Sequence, residues 1–151
     1  MENGKERPKV ISVNISEKRG TVKVPVNEIE LLVDEGVKGD AHAKKGGKRQ
    51  VSLLAWESIE KMRKILPNLT YGSFAENITI EGLELHTLKV GTKLIIGEVE
   101  LEITEIGKEC HVGCEIMKLV GNCIMPKEGV FAKVIKGGKI RPGEEIEIIE
   151  N

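Results

Sequence analysis

Residues 93–104 constrain the fold most. Leu94 and Ile96 lead into Gly97-Glu98, and Val99, Leu101 and Ile103 then alternate with Glu98, Glu100 and Glu102. A strict period of two puts one face on a core and one in water, as in an antiparallel sheet. Gly97 can take the positive φ that a tight hairpin turn needs. A chain built around such a hairpin needs further strands, because an isolated hairpin is marginal in water.

Those strands are legible. Residues 9–15 alternate. Residues 28–33 are apolar-rich and end at Asp34-Glu35-Gly36. Residues 50–54 read as a buried strand, and residues 76–80 end at Gly82. Residues 130–135 and 145–149 complete the set, punctuated by Gly137-Gly138 and Pro142-Gly143. Helical spacing occurs twice. Trp56, Ile59, Met62, Ile65 and Leu66 predict a helix over 55–66, stopped by Pro67. Ile116, Leu119 and Val120 predict a shorter one over 115–120, stopped by Gly121. The expected fold is mainly β and barrel-like, with one or two short helices, in a single domain over 1–151. At 151 residues a chain can bury a sizeable core without disulfides.

Charge narrows the partners. The 23 basic and 24 acidic residues nearly cancel, so bulk electrostatics give no reason to bind nucleic acid or an anionic membrane. No uncharged run reaches the length of about 20 apolar residues that a membrane span needs. The N-terminal residues lack the apolar core of a signal peptide. Three cysteines form no closed disulfide framework, and a reducing cytoplasm is expected.

Two segments carry candidate chemistry. Cys110, His111, Cys114 and Cys123 fall within fourteen residues. They can form a Cys3His zinc set, although the second cysteine pair is incomplete. Cys114 and Cys123 read equally well as small buried hydrophobes. Cys110 follows a strand and stands between Lys108 and His111, whose charge would favour the reactive thiolate. The second segment is Gly36-Val37-Lys38-Gly39-Asp40-Ala41-His42. His42 is a candidate base, ligand or donor, and Asp40 a candidate partner or a cap for its own loop. Lys38, Lys44, Lys45, Lys48 and Arg49 make residues 38–49 basic, as a phosphate-bearing ligand would require. A solvated loop explains the same composition. Glu76-Asn77 can bind a ligand or satisfy backbone groups. His86 reads as structural or surface, and Trp56 as the anchor of its helix. There is no Walker A sequence and no Gly-x-Gly-x-x-Gly.

In order, the segments resemble the MOSC domain, the C-terminal domain of molybdenum-cofactor sulfurases, over about 36–148. The likeness runs through the Gly36–His42 segment, then Arg49-Gln50-Val51-Ser52-Leu53-Leu54, then Gly72-Ser73-Phe74-Ala75-Glu76-Asn77-Ile78-Thr79 with Gly82-Leu83. It continues through Val90-Gly91-Thr92-Lys93-Leu94, the strand leading to Cys110, and Gly129-Val130-Phe131-Ala132-Lys133-Val134. It closes at Gly138-Lys139-Ile140-Arg141-Pro142-Gly143. The resemblance implies a β-barrel-like fold and a link to the molybdenum cofactor (molybdopterin). It implies that Cys110 carries sulfur as a persulfide, binds molybdenum, or both. His42 and Asp40 would join Cys110 in catalysis, and Lys38, Arg49 and Asn77 would hold the cofactor. The expected partners are a cysteine desulfurase or a molybdenum enzyme, and no pyridoxal phosphate site is implied. Glu109 stands where the family often has proline, and Cys114 and Cys123 are not general family features. Two other readings remain: a molybdenum-dependent reductase module for N-hydroxylated compounds, and a zinc or iron–sulfur structural module on Cys110, His111, Cys114 and Cys123.

Overall fold

The structure is a computed structural model that describes residues 8–16, 23–40, 46–47, 50–74, 76–107 and 129–150. Eleven strands and one α-helix occur among them. The strands are β1 (Lys9–Ile15), β2 (Val24–Val26), β3 (Ile29–Leu32), β4 (Gly36–Val37), β5 (Val51–Ala55), β6 (Ile78–Glu81), β7 (Lys93–Ile96), β8 (Val99–Ile106), β9 (Val130–Lys136), β10 (Gly138–Ile140) and β11 (Ile146–Ile149), with α1 (Trp56–Arg63) between β5 and β6.

Eight strands form one sheet in the order β11-β7-β8-β9-β5-β6-β1-β2, and β10-β3-β4 form a second. The β7–β8 hairpin has the expected register, with Ile96 opposite Val99 and Gly97 at φ +59°. Along β8, buried Val99, Leu101 and Ile103 alternate with half-buried Glu100, Glu102 and Thr104. The sheet curls until β11, at one end, meets the start of β1, which lies next to the other end. Val10 N–H donates to the Glu144 carbonyl at 2.9 Å and Ile146 N–H to the Pro8 carbonyl at 2.8 Å, joining the starts of β1 and β11. This is the mainly β, barrel-like architecture expected.

The central strand β5 is buried at all five positions because it serves two apolar clusters. Val51 and Leu53 join Val13, Ile78, Leu101 and Ile103 inside the curl. Leu54 faces outward and packs with Ile59, Met62, Leu69, Phe74 and Phe131 beneath α1. Burying a large apolar side chain contributes about 1.5–3 kcal/mol, so the two faces of β5 fix its place in the sheet.

The structure corrects several boundaries. The helix expected over 55–66 is only α1, because Ala55 is still extended (ψ 137°) as the end of β5, while the last turn tightens so that the Met62 carbonyl accepts from both Ile65 N–H at 3.0 Å and Leu66 N–H at 2.9 Å. Gly138, expected to end a strand, starts β10 at φ +149°. The strand expected over 76–80 begins at Ile78, because the side chains of Glu76 and Asn77 hold neighbouring backbone instead. Trp56 is half-buried at the rim of the outer cluster, with its ring centroid 5.0 Å from that of Tyr71 and the Arg63 guanidinium 5.4 Å from its own. His86 lies in a short 3-10 turn over Leu85–Thr87. The helix expected over 115–120 lies outside the described residues. Among the described residues, no helix is long and apolar enough to cross a membrane.

Candidate functional site: a buried polar seam

Most of the buried polar side chains gather in one place. Ser12, Asn14 and Ser16 come from β1 and its end, Lys23 from the approach to β2, and Asp40 from the turn after β4. Ser52 comes from β5, and Glu76, Asn77 and Thr79 from the approach to and start of β6. Buried polar groups cost stability unless hydrogen-bonded, so each needs partners, and the seam supplies them.

Asp40 and Lys23 form its charged part. Lys23 Nζ donates to Asp40 Oδ1 at 2.8 Å and to Oδ2 at 3.0 Å, and both side chains are essentially inaccessible. The Ser16 backbone N–H donates to Oδ1 at 2.9 Å. Burial by itself pushes the Asp40 carboxyl up. The Lys23 hydrogen bond, the Ser16 N–H, the Lys23 charge and a hydrogen bond with Asn77 outweigh it and hold the carboxyl below the usual carboxylate range. Asp40 is therefore an ionised group fixed in place by long-range partners.

Asn77 ties three strands together. Its Oδ1 accepts from the Ser52 backbone N–H at 3.1 Å and the Ser52 hydroxyl at 3.2 Å. Its Nδ2 donates to the Asn14 carbonyl at 3.2 Å.

Glu76 is fully buried, and its hydrogen-bond partners are all donors. Oε2 accepts from Gly72 N–H at 2.9 Å and from the Thr79 hydroxyl at 2.7 Å, and Oε1 accepts from Phe74 N–H at 3.2 Å. Burial, the dominant influence, pushes this carboxyl above the usual range in spite of those bonds. Thr79 also accepts from Asn14 Nδ2 at 3.1 Å, and Asn14 Oδ1 accepts from the Ser12 hydroxyl at 2.7 Å. The chain of donors thus runs in one direction, from Ser12 to Glu76. Of the two readings of Glu76 from sequence, satisfaction of backbone groups is the one observed.

The other candidates fall elsewhere. Lys38 is exposed, with its ammonium 3.9 Å from Glu30 Oε1 on the second sheet, and it does not join the seam. Lys139 and Arg141 pair with Glu28 on the surface at 3.4 and 3.0 Å. His42, Arg49, Cys110, His111, Cys114 and Cys123 lie outside the described residues. Sequence reasoning missed Lys23 altogether. Among the described residues, no three His, Cys, Asp or Glu side chains converge to hold a metal ion. The acids of the seam take protein donors, so this part of the site does not by itself fit a molybdenum centre.

Fold and seam together define a curled, mainly β domain with a buried, hydrogen-bonded polar seam at the approaches to β2 and β6. A family model described as the MOSC domain matches residues 38–147, and the chain belongs to the MOSC domain family. That family is associated in general with the molybdenum cofactor. Solved structures share the fold. The YuaD protein from Bacillus subtilis is 18% identical, with 97% of each chain covered and a TM-score of 0.80. YiiM from Geobacillus stearothermophilus is 18% identical, covering 95% of this chain and 75% of that one, with a TM-score of 0.71. YiiM from Escherichia coli is 20% identical, covering 97% and 71%, with a TM-score of 0.69. No curated protein sequence matched the chain.

Proposed function

We propose that this protein carries sulfur for the molybdenum cofactor as a persulfide on Cys110. Membership of the MOSC family carries the reading, because the match spans the one segment that holds a thiol beside cations. The described flanks of that segment support it. β8 ends at Ile106, opposite Val130, which lies opposite Leu53, which lies opposite Ile78. Three strand spacings, about 14 Å, therefore separate the end of β8 from β6 at Ile78, next to Asn77. Four residues from Ile106 to Cys110 span at most about 13–14 Å. The tether is thus comparable to the distance it would have to cross.

The chemistry needs no metal. The Cys110 thiolate attacks the outer sulfur of a donor persulfide, such as that of a cysteine desulfurase. A new S–S bond forms, the donor's S–S bond breaks, and the donor leaves as a thiolate. One neutral sulfur atom has moved, and no external oxidant or reductant is consumed. His42 would serve as the base for the thiol. Lys38 and Arg49 would meet the phosphate of the pterin, and Asn77 with Asp40 would form the rigid floor.

The test is intact mass after incubation of the reduced protein with a cysteine desulfurase and cysteine. A gain of one sulfur mass, removed by cyanide and absent in Cys110→Ala, is the expected result. Equal loading of the variant would end this reading.

A further inference from the structure

Stability gives no reason for a buried Lys23–Asp40 pair. Taking an ammonium and a carboxylate out of water carries a desolvation penalty for each ion, and apolar residues of similar size often replace such pairs without loss. Apolar clusters already lie on both faces of β5, and a polar seam interrupts them.

Lys23 is held at both ends. Its backbone N–H donates to the Gly72 carbonyl at 3.0 Å. Gly72 sits at φ +84°, and a Cβ there would overlap the Lys23 carbonyl oxygen. The backbone of Lys23 is therefore seated on the turn that Glu76 gathers and that leads into Asn77. At the far end the ammonium grips both oxygens of Asp40. One residue thus connects the turn before Asn77 with the carboxylate of Asp40.

We propose that Lys23 is a positioning residue, which fixes the Asp40 carboxylate against Asn77 and so sets the floor of the site. This rests on the sulfur-carrier reading for its functional consequence, but its geometric content stands by itself.

Two measurements separate the two. The first is NMR of the wild type and Lys23→Met, following the Asp40 carboxyl carbon and the Asn77 side-chain amide. In the wild type, Asp40 is expected to titrate below the ordinary aspartate midpoint. In a folded Lys23→Met, that midpoint moves up and the Asn77 amide resonances shift. An ordinary Asp40 midpoint in the wild type overturns the proposal and needs no variant to fold. So do unchanged Asp40 and Asn77 signals in Lys23→Met. The second is the sulfur-loading rate, expected to fall at least tenfold in folded Lys23→Met and to recover in Lys23→Arg, which keeps the charge. Full loading of Lys23→Met overturns the functional half. A wild type that accepts no sulfur removes the sulfur-carrier reading, and the NMR result then decides the positioning role alone.

Discussion

Gly72 and Lys23 meet backbone to backbone, with Lys23 N–H on the Gly72 carbonyl at 3.0 Å and no room for a Cβ on Gly72. Gly72→Ala therefore meets two penalties. A left-handed backbone costs a non-glycine residue about 1–2 kcal/mol, and the overlap with the Lys23 carbonyl adds to it. Gly143→Ala is the control, since Gly143 also has positive φ (+99°) but no heavy atom within 4 Å of an added Cβ. Thermal unfolding should show a clearly larger drop for Gly72→Ala. Equal drops would mean that the contact at Lys23 is not tight.

Thr79 is the hinge of the donor chain, accepting from Asn14 and donating to Glu76. Thr79→Val keeps the shape and removes the hydroxyl. It leaves a buried amide hydrogen and a buried carboxylate each one partner short, at a cost of about 1–3 kcal/mol. Urea unfolding measures this through the midpoint. A neutral outcome would show that the seam is wetter than its burial indicates.

The two buried acids bend the stability–pH curve in opposite directions. Asp40 has a folded value below its ordinary 3.8. Its contribution is present above that ordinary value and is lost as pH falls through the lower folded one. Glu76 has a folded value above its ordinary 4.5. The native state holds that proton more tightly, so its contribution is present below 4.5 and is lost as pH rises through the raised value. Denaturant unfolding across acid to neutral pH should show the wild type losing stability relative to Glu76→Gln as pH rises. Asp40→Asn should remove part of the loss at the acid end. Parallel curves for wild type and Glu76→Gln would contradict a raised Glu76.

A persulfide on Cys110 alone makes Cys114 and Cys123 dispensable for loading. The Cys114→Ser/Cys123→Ser variant should keep its cyanide-sensitive sulfur mass. Chelator-treated protein should also unfold at the same temperature as untreated protein. A large loss of unfolding temperature on chelation would favour the zinc or iron–sulfur module instead.

Period-two alternation is written into adjacent residues, so the sequence by itself determined the β7–β8 hairpin and the bounds of β1; it marked 50–54 as a buried strand, but that β5 serves two apolar clusters was decided by the fold. It determined the family too, because many short segments in order survive without any one being decisive. Strands such as β2, β4 and β10 are two or three residues long, too short to show a period, and only pairing in the folded chain created them. The Lys23–Asp40 pair was invisible for a related reason. Its partners are 17 residues apart, and nothing local marks Lys23 among the other lysines. Glu76 and Asn77 stood out as a pair, but which groups they serve depended on the fold, since Ser52 and Asn14 reach Asn77 across 25 and 63 residues. Local pattern chose the elements. Their tertiary assembly decided which polar side chains left water together.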